Sequence, residues 1–168
     1  LRGPVALKPF DGNQGKGVSL NLTDPEQIRA AYRLAAEFRR SVLVEQFIEG
    51  REIYVGVLGN ERLRVLPIWE LELGNMAQGA WPIATEKVKH DPDYQERWGL
   101  LHGPAKDLSP EVRARIERAA KRIFRTLELD GYARIDFRLS NDGIPYFLEA
   151  NPNPEIAESQ EFAAAARH

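Results

Sequence analysis

Hydrophobic spacing in the first part of the chain predicts two strands and a helix. Val5–Lys8 is an apolar run closed by Pro9, and Val18–Leu22 alternates like a second strand beyond a glycine-rich turn. A capping sequence, Thr23–Glu26, then precedes an apolar stripe at helical spacing, which consists of Ile28, Ala31, Tyr32, Ala35 and Phe38. We therefore expect strand, flexible loop, strand and a helix of about four turns.

The middle of the chain predicts further strands and then irregular chain. Val42–Ile48 is a continuous strand-like run, and Arg51–Leu58 with Arg62–Trp69 resembles a hairpin joined through Gly59-Asn60. From about Leu71 to Leu108 no period is sustained, so we expect long loops with one helical turn. A long irregular stretch inside a compact domain more often has a function than serves only as a connection.

The last third predicts a helix, a hairpin and a short helical tail. Ser109–Val112 is a strong helix start, and the helix that follows extends to Leu129. Two strands, Tyr132–Leu139 and Ile144–Ala150, flank Asn141-Asp142-Gly143, and an alanine-rich tail follows Pro154. The apolar stripe of the first helix consists of Ile116, Ala119, Ala120, Ile123, Phe124 and Leu127.

The amino-acid composition limits the classes of function that this chain can have. With 168 residues, 43% of them hydrophobic, the chain can bury one core with at most a small appended lobe. The net charge of −2 does not favour nucleic acid or an anionic membrane surface, and no apolar run is long enough to span a membrane. The absence of cysteine excludes disulfides and thiol chemistry. We expect a soluble, cytoplasmic protein.

The start of the chain and its three histidines give no indication of a catalytic role. Leu1-Arg2-Gly3-Pro4 leads directly into an apolar strand without an initiator Met, so we expect an excised fragment. The three histidines, His90, His102 and His168, are too scattered to suggest a zinc site, and we expect surface or packing roles for them.

The predicted C-terminal hairpin carries the strongest chemical signal. If Asp142-Gly143 forms a two-residue type I′ turn, Asp136 faces Glu149 and Arg134 faces Asn151 across the strands. Two carboxylates placed directly opposite each other repel, and a bound divalent cation would remove that repulsion. Magnesium prefers a few hard oxygen ligands together with substrate phosphates, which suits this set.

The opposite face of the same hairpin is apolar. Alternation places Ile135, Phe137 and Leu139 on that face together with Leu148 and Ala150. The alternative interpretation is therefore a solvated polar face on an amphipathic hairpin. A change of one residue in the turn length would also break the predicted pairing.

The N-terminal glycine-rich segment and Lys8 could contact phosphates. Three glycines between Asp11 and Gly17 would let backbone amides approach an anion, and Lys16 could add a positive charge. The segment lacks the Walker pattern, and an ordinary hairpin loop is the alternative. Lys8 ends a strand that is predicted to be buried, where its ammonium group needs an anion unless it reaches solvent.

Taken together, these motifs resemble the ATP-grasp superfamily, and within it D-alanine:D-alanine ligase and related carboxylate–amine ligases. The resemblance covers nearly the whole chain with its motifs in family order. It implies an α+β fold of antiparallel sheets flanked by helices, in which two lobes hold ATP between them. The motifs are Val5–Pro9, Asp11–Gly17, Val42–Glu52, Gly131–Phe137 and Phe147–Pro154.

The resemblance also implies a role for each site residue. Asp136, Glu149 and Asn151 would be metal ligands, with Glu149 bridging two Mg²⁺ ions, for which Mn²⁺ could substitute. Arg134 would face the transferring phosphoryl group. The implied contacts to the nucleotide phosphates are Lys8, Lys16 and the loop glycines Gly12, Gly15 and Gly17. Adenine would be contacted by Glu45, Gln46, Phe47 and Ile48, and the ribose by Glu52.

A second lysine at the phosphates is expected in the irregular middle. Lys89 is the best match to the family pattern, and Lys87 competes with it. The implied lobes are residues 1–48, which hold the phosphate loop, and residues 49–168, which hold the metal and ATP site. An upstream substrate domain of the family is apparently absent, so this fragment could be inactive alone.

The implied reaction is ATP-dependent amide or peptide bond formation through an acylphosphate, with release of ADP and phosphate. Its substrates would be a small-molecule carboxylate and an amine, and homodimer formation is left open. Where the family has a glycine beside the acceptor, this chain has Glu155, which makes D-alanine a doubtful substrate. Alternatives are a non-catalytic ATP-binding or regulatory module and a kinase on the same fold.

Overall fold

The computed structural model describes residues 3–10, 17–38, 41–73, 100–158 and 160–168. These residues fall into two compact units, one comprising the described residues up to Ile48 together with Leu73 and Leu100, and the other comprising Glu49–Glu72 with Leu101–His168. None of the described helices is long and apolar enough to cross a membrane.

The described part of the first unit contains a three-stranded antiparallel sheet and one helix. The strands have the order β2-β1-β3, and Val5, Leu7 and Ala31 form the centre of its core. Asp24 caps the helix, since its Oδ1 accepts hydrogen bonds from the backbone of Glu26 at 2.9 Å and of the following residue. The elements are β1 (Val5–Pro9), β2 (Ser19–Leu22), α1 (Pro25–Phe38) and β3 (Val42–Gln46).

The second unit is built on a larger antiparallel sheet. Its strands follow the order β7-β6-β4-β8-β9, and β5 pairs with one end of β4. Two helices accompany this sheet. The elements are β4 (Gly50–Leu58), β5 (Arg64–Val65), β6 (Trp69–Leu73), β7 (Leu100–Pro104), α2 (Pro110–Thr126), β8 (Tyr132–Ser140), β9 (Pro145–Asn151) and α3 (Glu161–Arg167).

Helix α2 covers the apolar face of the larger sheet. Ser109 is its N-cap, and the Oγ of Ser109 accepts from Val112 N at 3.3 Å. The helix buries Ile116, Ala120 and Phe124 against the sheet. The sheet residues of this core include Ile53, Val55, Val57, Ala133, Ile135, Phe137 and Leu139. Because this face is closed by packing, functional side chains belong to the other face.

The hairpin of β8 and β9 has the predicted pairing of site residues, but its turn and its strand geometry differ from the prediction. A three-residue loop replaces the predicted two-residue turn, since Ser140 N donates to Ile144 O at 3.0 Å and Gly143 adopts a φ of 71°. This loop alone would shift the register by one residue. Leu148 forms a bulge that restores it, so Asp136 pairs with Glu149 and Arg134 with the strand's last residue, Asn151.

Four other predictions need correction. The strand predicted to end at Ile48 ends at Gln46, and Tyr32, assigned to the apolar stripe of α1, is half exposed. The predicted strand Arg62–Trp69 is interrupted after two residues, where Pro67 lacks a donor for the ladder, and a separate strand resumes at Trp69. Leu71 and residues 100–104, predicted as loop, lie in strands. These strands are too short to show a sustained period.

Candidate functional site

The face of the larger sheet opposite α2 carries rows of polar side chains. In one row Trp69, Tyr54, Asp136 and Glu149 are successive cross-strand partners from β6 to β9. In the next row Gly56 of β4 faces Arg134, which faces Asn151, and in the row on the other side Glu52 faces Arg138. Cross-strand partners share a face, so the predicted metal ligands and Arg134 lie together.

Arg134 and Asp136 form a buried bidentate ion pair. Arg134 Nε and one terminal nitrogen donate to the two carboxylate oxygens of Asp136 at 2.7 and 2.9 Å. The side chains are 13% and 4% exposed, so water screens the pair little. Burial alone would lower the pKa of Arg134, but the Asp136 carboxylate and Glu161 raise it above its ordinary value. The guanidinium is therefore a permanent positive charge.

Glu149 and Asn151 complete an all-oxygen donor set beside this pair. Glu149 is exposed on the edge strand β9, directly opposite Asp136. The Oδ1 of Asn151 accepts a hydrogen bond from Asn153 N at 3.0 Å. Within the described ranges no group of three or more His, Cys, Asp or Glu could hold a metal ion. The set suits an ion that takes few protein ligands, and such an ion would share the Asp136 carboxylate with Arg134.

Glu52, the predicted ribose ligand, is held within the sheet. Its carboxylate accepts a hydrogen bond from the hydroxyl of Tyr54 at 2.8 Å and another from Arg138 at 3.3 Å. Burial, followed by the charges of Glu52 and Asp136, raises the pKa of Tyr54 well above its usual range. Tyr54 is therefore a neutral hydrogen-bond donor, and its ring lies 5.0 Å from the Arg134 guanidinium carbon.

Glu161 and His102 adjoin this cluster from outside the central strands. Glu161, the first residue of α3, places one carboxylate oxygen 3.5 Å from Arg134 and the other 3.3 Å from His102 Nδ1. His102 belongs to β7, and its ring lies 6.1 Å from that of Tyr54. Arg134 thus has acidic neighbours on two sides.

In the first unit, the structure brings together two of the predicted nucleotide contacts. Lys8 Nζ lies 2.7 Å from Glu45 Oε2, and both side chains are partly exposed. The backbone N–H of Phe47 donates to Pro4 O at 2.9 Å. Gly17 has a φ of 70°, a backbone conformation that favours glycine.

Several predicted contacts lie outside the described residues. They are Gly12, Gly15, Lys16, Lys87 and Lys89. The choice between Lys87 and Lys89 therefore stays a prediction.

The sequence reasoning missed four residues of this cluster. Tyr54 and Arg138 could have been found, because each lies two positions along a strand from a predicted site residue and so shares its face. Glu161 and His102 gave no comparable signal. Their positions depend on how α3 and β7 meet the sheet.

Comparison with known proteins identifies the family. The family model for the D-ala D-ala ligase C-terminus matches residues 1–168. The chain belongs to this family. A protein of Sinorhizobium fredii, y4sG, is 31% identical over 99% of this chain and 47% of its own length. A D-alanine–D-alanine ligase of Bordetella pertussis is 33% identical over 98% of this chain and 48% of its own length.

Solved structures of D-alanine–D-alanine ligases have the same fold. The Bacillus anthracis ligase complexed with ATP superposes with a TM-score of 0.75 at 20% identity, over 99% of this chain and 47% of that one. The predicted α+β, ATP-grasp fold class is confirmed. The chain spans about half the length of the ligases it matches.

Proposed function

We propose that this chain is the catalytic portion of an ATP-dependent carboxylate–amine ligase. The buried Arg134–Asp136 pair, facing Glu149 and Asn151, carries the proposal. Phosphoryl transfer requires positioned positive charge and metal ligands more than covalent help from the protein, and these two neighbouring rows supply both kinds of group. The Bacillus anthracis relative with bound ATP supports the choice of nucleotide.

In this proposal Asp136, Glu149 and Asn151 hold Mg²⁺, for which Mn²⁺ can substitute. The ions would neutralise phosphate charge and align the transferring group. Arg134 stabilises negative charge on the γ-phosphoryl group and on the acylphosphate. Its guanidinium is suited to this role because Asp136, Glu161 and the ring of Tyr54 fix its orientation before substrate arrives.

The remaining assignments extend the same proposal. Lys8, Glu45 and the backbone at Gln46–Ile48 would contact the nucleotide from the first unit, and residues 1–48 and 49–168 would be the two lobes of the enzyme. Glu52 would bind the ribose, for which its carboxylate must exchange the Tyr54 or Arg138 hydrogen bond for a ribose hydroxyl.

The acceptor amine is proposed to differ from D-alanine. Glu155 is exposed, four residues beyond the proposed metal ligand Asn151. A carboxylate at this position would repel the carboxylate of a zwitterionic amino acid that approaches the phosphates. An amine without a neighbouring carboxylate meets no such repulsion.

Two other functions would use the same fold. A nucleotide-binding regulatory module would need the metal ligands, but it has no use for a pre-positioned arginine, and the buried Arg134–Asp136 pair therefore favours the ligase. A kinase would transfer phosphate to a hydroxyl and would need no amine.

The test is to supply the full-length parent protein with ATP, Mg²⁺ and pools of carboxylic acids and amines. A ligase releases ADP and phosphate only when an acid and an amine are both present. Steady release of AMP would contradict the proposal, and ADP release that needs no amine would favour the kinase.

Arg134→Met separates the ligase from the binding module. The ligase should lose turnover while still binding ATP, whereas a binding module should be unaffected in its function. Arg115→Met is the matched control, since Arg115 is an exposed arginine on α2 whose guanidinium bonds only to the hairpin loop at Gly143 O in the described part of the chain.

A further inference from the structure

Glu161 divides its carboxylate between two partners. Its Oε2 lies 3.5 Å from the Arg134 nitrogen that Asp136 does not bind, and its Oε1 lies 3.3 Å from His102 Nδ1. The side chain is only 15% exposed. A carboxylate in such a place is costly unless positive groups and donors face it, which indicates that the contact with Arg134 is specific.

The position of Glu161 is fixed by the packing of α3. The next residue, Phe162, is buried, lies 5.6 Å from the ring of Tyr132, and covers the sheet above Gly56. A Cβ on Gly56 would lie 3.1 Å from the Phe162 ring and 2.6 Å from the Leu66 side chain. Because residue 56 is a glycine and has no side chain, α3 can lie against β4. This packing brings Glu161 next to Arg134.

A metal ion bound at Asp136 would have to share the two oxygens that Asp136 gives to Arg134. A divalent cation at Asp136 repels the guanidinium and weakens one or both of the hydrogen bonds that join the pair. Once that happens, the remaining described contacts of Arg134 are the Glu161 carboxylate and the face of Tyr54. Neither Glu161 nor Tyr54 is a proposed metal ligand, so both contacts can persist when Asp136 binds the ion.

We propose that Glu161 is a positioning residue that retains Arg134 beside the reacting phosphates when Asp136 takes up metal. The proposal rests on the ligase function inferred above. His102 supports the arrangement by holding the second oxygen of Glu161, so that the carboxylate presents one defined oxygen to the arginine. Glu161 itself contacts no substrate.

The kinetic test compares Glu161→Gln with Glu161→Asp in the full-length parent. Without the negative charge Arg134 is released from its position, so kcat should fall about 10²-fold, the size of loss that a misplacement of about 1 Å produces. The KM for ATP should change little, because Arg134 acts mainly in the transition state. Glu161→Asp keeps the charge and should recover part of kcat.

Glu158→Gln is the matched control. Glu158 precedes α3, is exposed and pairs with Arg167, so its loss removes an acidic residue of the same segment without touching Arg134. Its kcat should equal that of the parent. An unchanged kcat in Glu161→Gln, or an equal fall in Glu158→Gln, overturns the proposal.

A second measurement does not depend on turnover. With ADP and Mg²⁺ bound, rotation of the Arg134 guanidinium followed by ¹⁵N NMR should be slow in the parent and faster in Glu161→Gln. If no acid and amine pair releases ADP, the ligase function fails while this measurement still decides the role of Glu161. Equal rotation in the parent and the variant overturns the role even if ligation is observed.

Discussion

Arg134 and Asp136, two residues apart on strand β8, bind each other through two hydrogen bonds of 2.7 and 2.9 Å. Side chains at this spacing lie on the same face of a strand, so one strand orients both the positive group and the proposed metal ligand. Glu149 faces Asp136 from β9. The same two side chains therefore contribute to the folding stability of the protein and to the proposed metal and phosphate chemistry.

We predict that Asp136→Asn lowers the free energy of unfolding by roughly 3 kcal/mol, because it leaves the buried Arg134 charge without its main partner. In a double-mutant cycle with Arg134→Met, the two losses should be less than additive by about 1–3 kcal/mol. Urea denaturation followed by circular dichroism measures all three variants. Strict additivity would show that the ion pair contributes nothing in solution.

Glu149→Gln should weaken Mg²⁺-dependent ATP binding with little effect on folding, since Glu149 is exposed. We expect the affinity for ATP in the presence of Mg²⁺ to fall by at least about tenfold, which is the lower end of the loss caused by mutating groups that support a metal site. Calorimetric titration of ATP with and without Mg²⁺ measures it. Asp142→Asn, in the loop of the same hairpin, removes an equal charge and should bind as the parent does.

Gly56→Ala should displace α3, because the added Cβ would lie 2.6 Å from Leu66 and 3.1 Å from Phe162. Overpacking of this kind costs roughly 1–3 kcal/mol, and it should also lower turnover by moving Glu161 away from Arg134. Gly103→Ala is the control, since a Cβ there meets no atom within 4 Å. Thermal unfolding and ADP release measure both effects, and identical behaviour of the two variants would count against the packing of α3 on Gly56.

The raised pKa of Tyr54 predicts a loss of stability in alkali. Above the ordinary tyrosine pKa of 10.0 an unfolded chain ionises this residue, whereas the folded protein keeps its proton. The folded state then binds more protons, so the free energy of unfolding falls as the pH rises through this range. Denaturation at a series of alkaline pH values should show a shallower fall for Tyr54→Phe than for the parent.

Tyr32→Phe provides the comparison for that experiment. Tyr32 is half exposed on α1, so Tyr32→Phe removes a phenol without changing the buried Tyr54. A spectrophotometric titration of the folded protein should likewise lose its last-ionising phenol in Tyr54→Phe and retain it in Tyr32→Phe. The same slope in all three proteins would contradict the burial of Tyr54.

The sequence by itself determined which residues share a face and where the main elements begin. The cap at Ser109, the alternation in β8 and most of the apolar stripe of α2 are local patterns that the structure has. The helix was predicted to reach Leu129 but ends at Thr126, and Leu127 of the predicted stripe is half exposed. The same alternation grouped Arg134 with Asp136. Local periodicity reports the orientation of a side chain relative to its neighbours in the chain, and this is why these predictions succeeded.

Only the tertiary structure decided which distant elements meet. The pairing of Asp136 with Glu149 depends on a three-residue loop and a bulge at Leu148, two departures from the predicted geometry that cancel. Glu161 reaches Arg134 because α3 packs over a glycine more than a hundred residues earlier in the chain. Spacing along the chain carries no record of such contacts, since they follow from burial of apolar surface between elements that are remote in sequence.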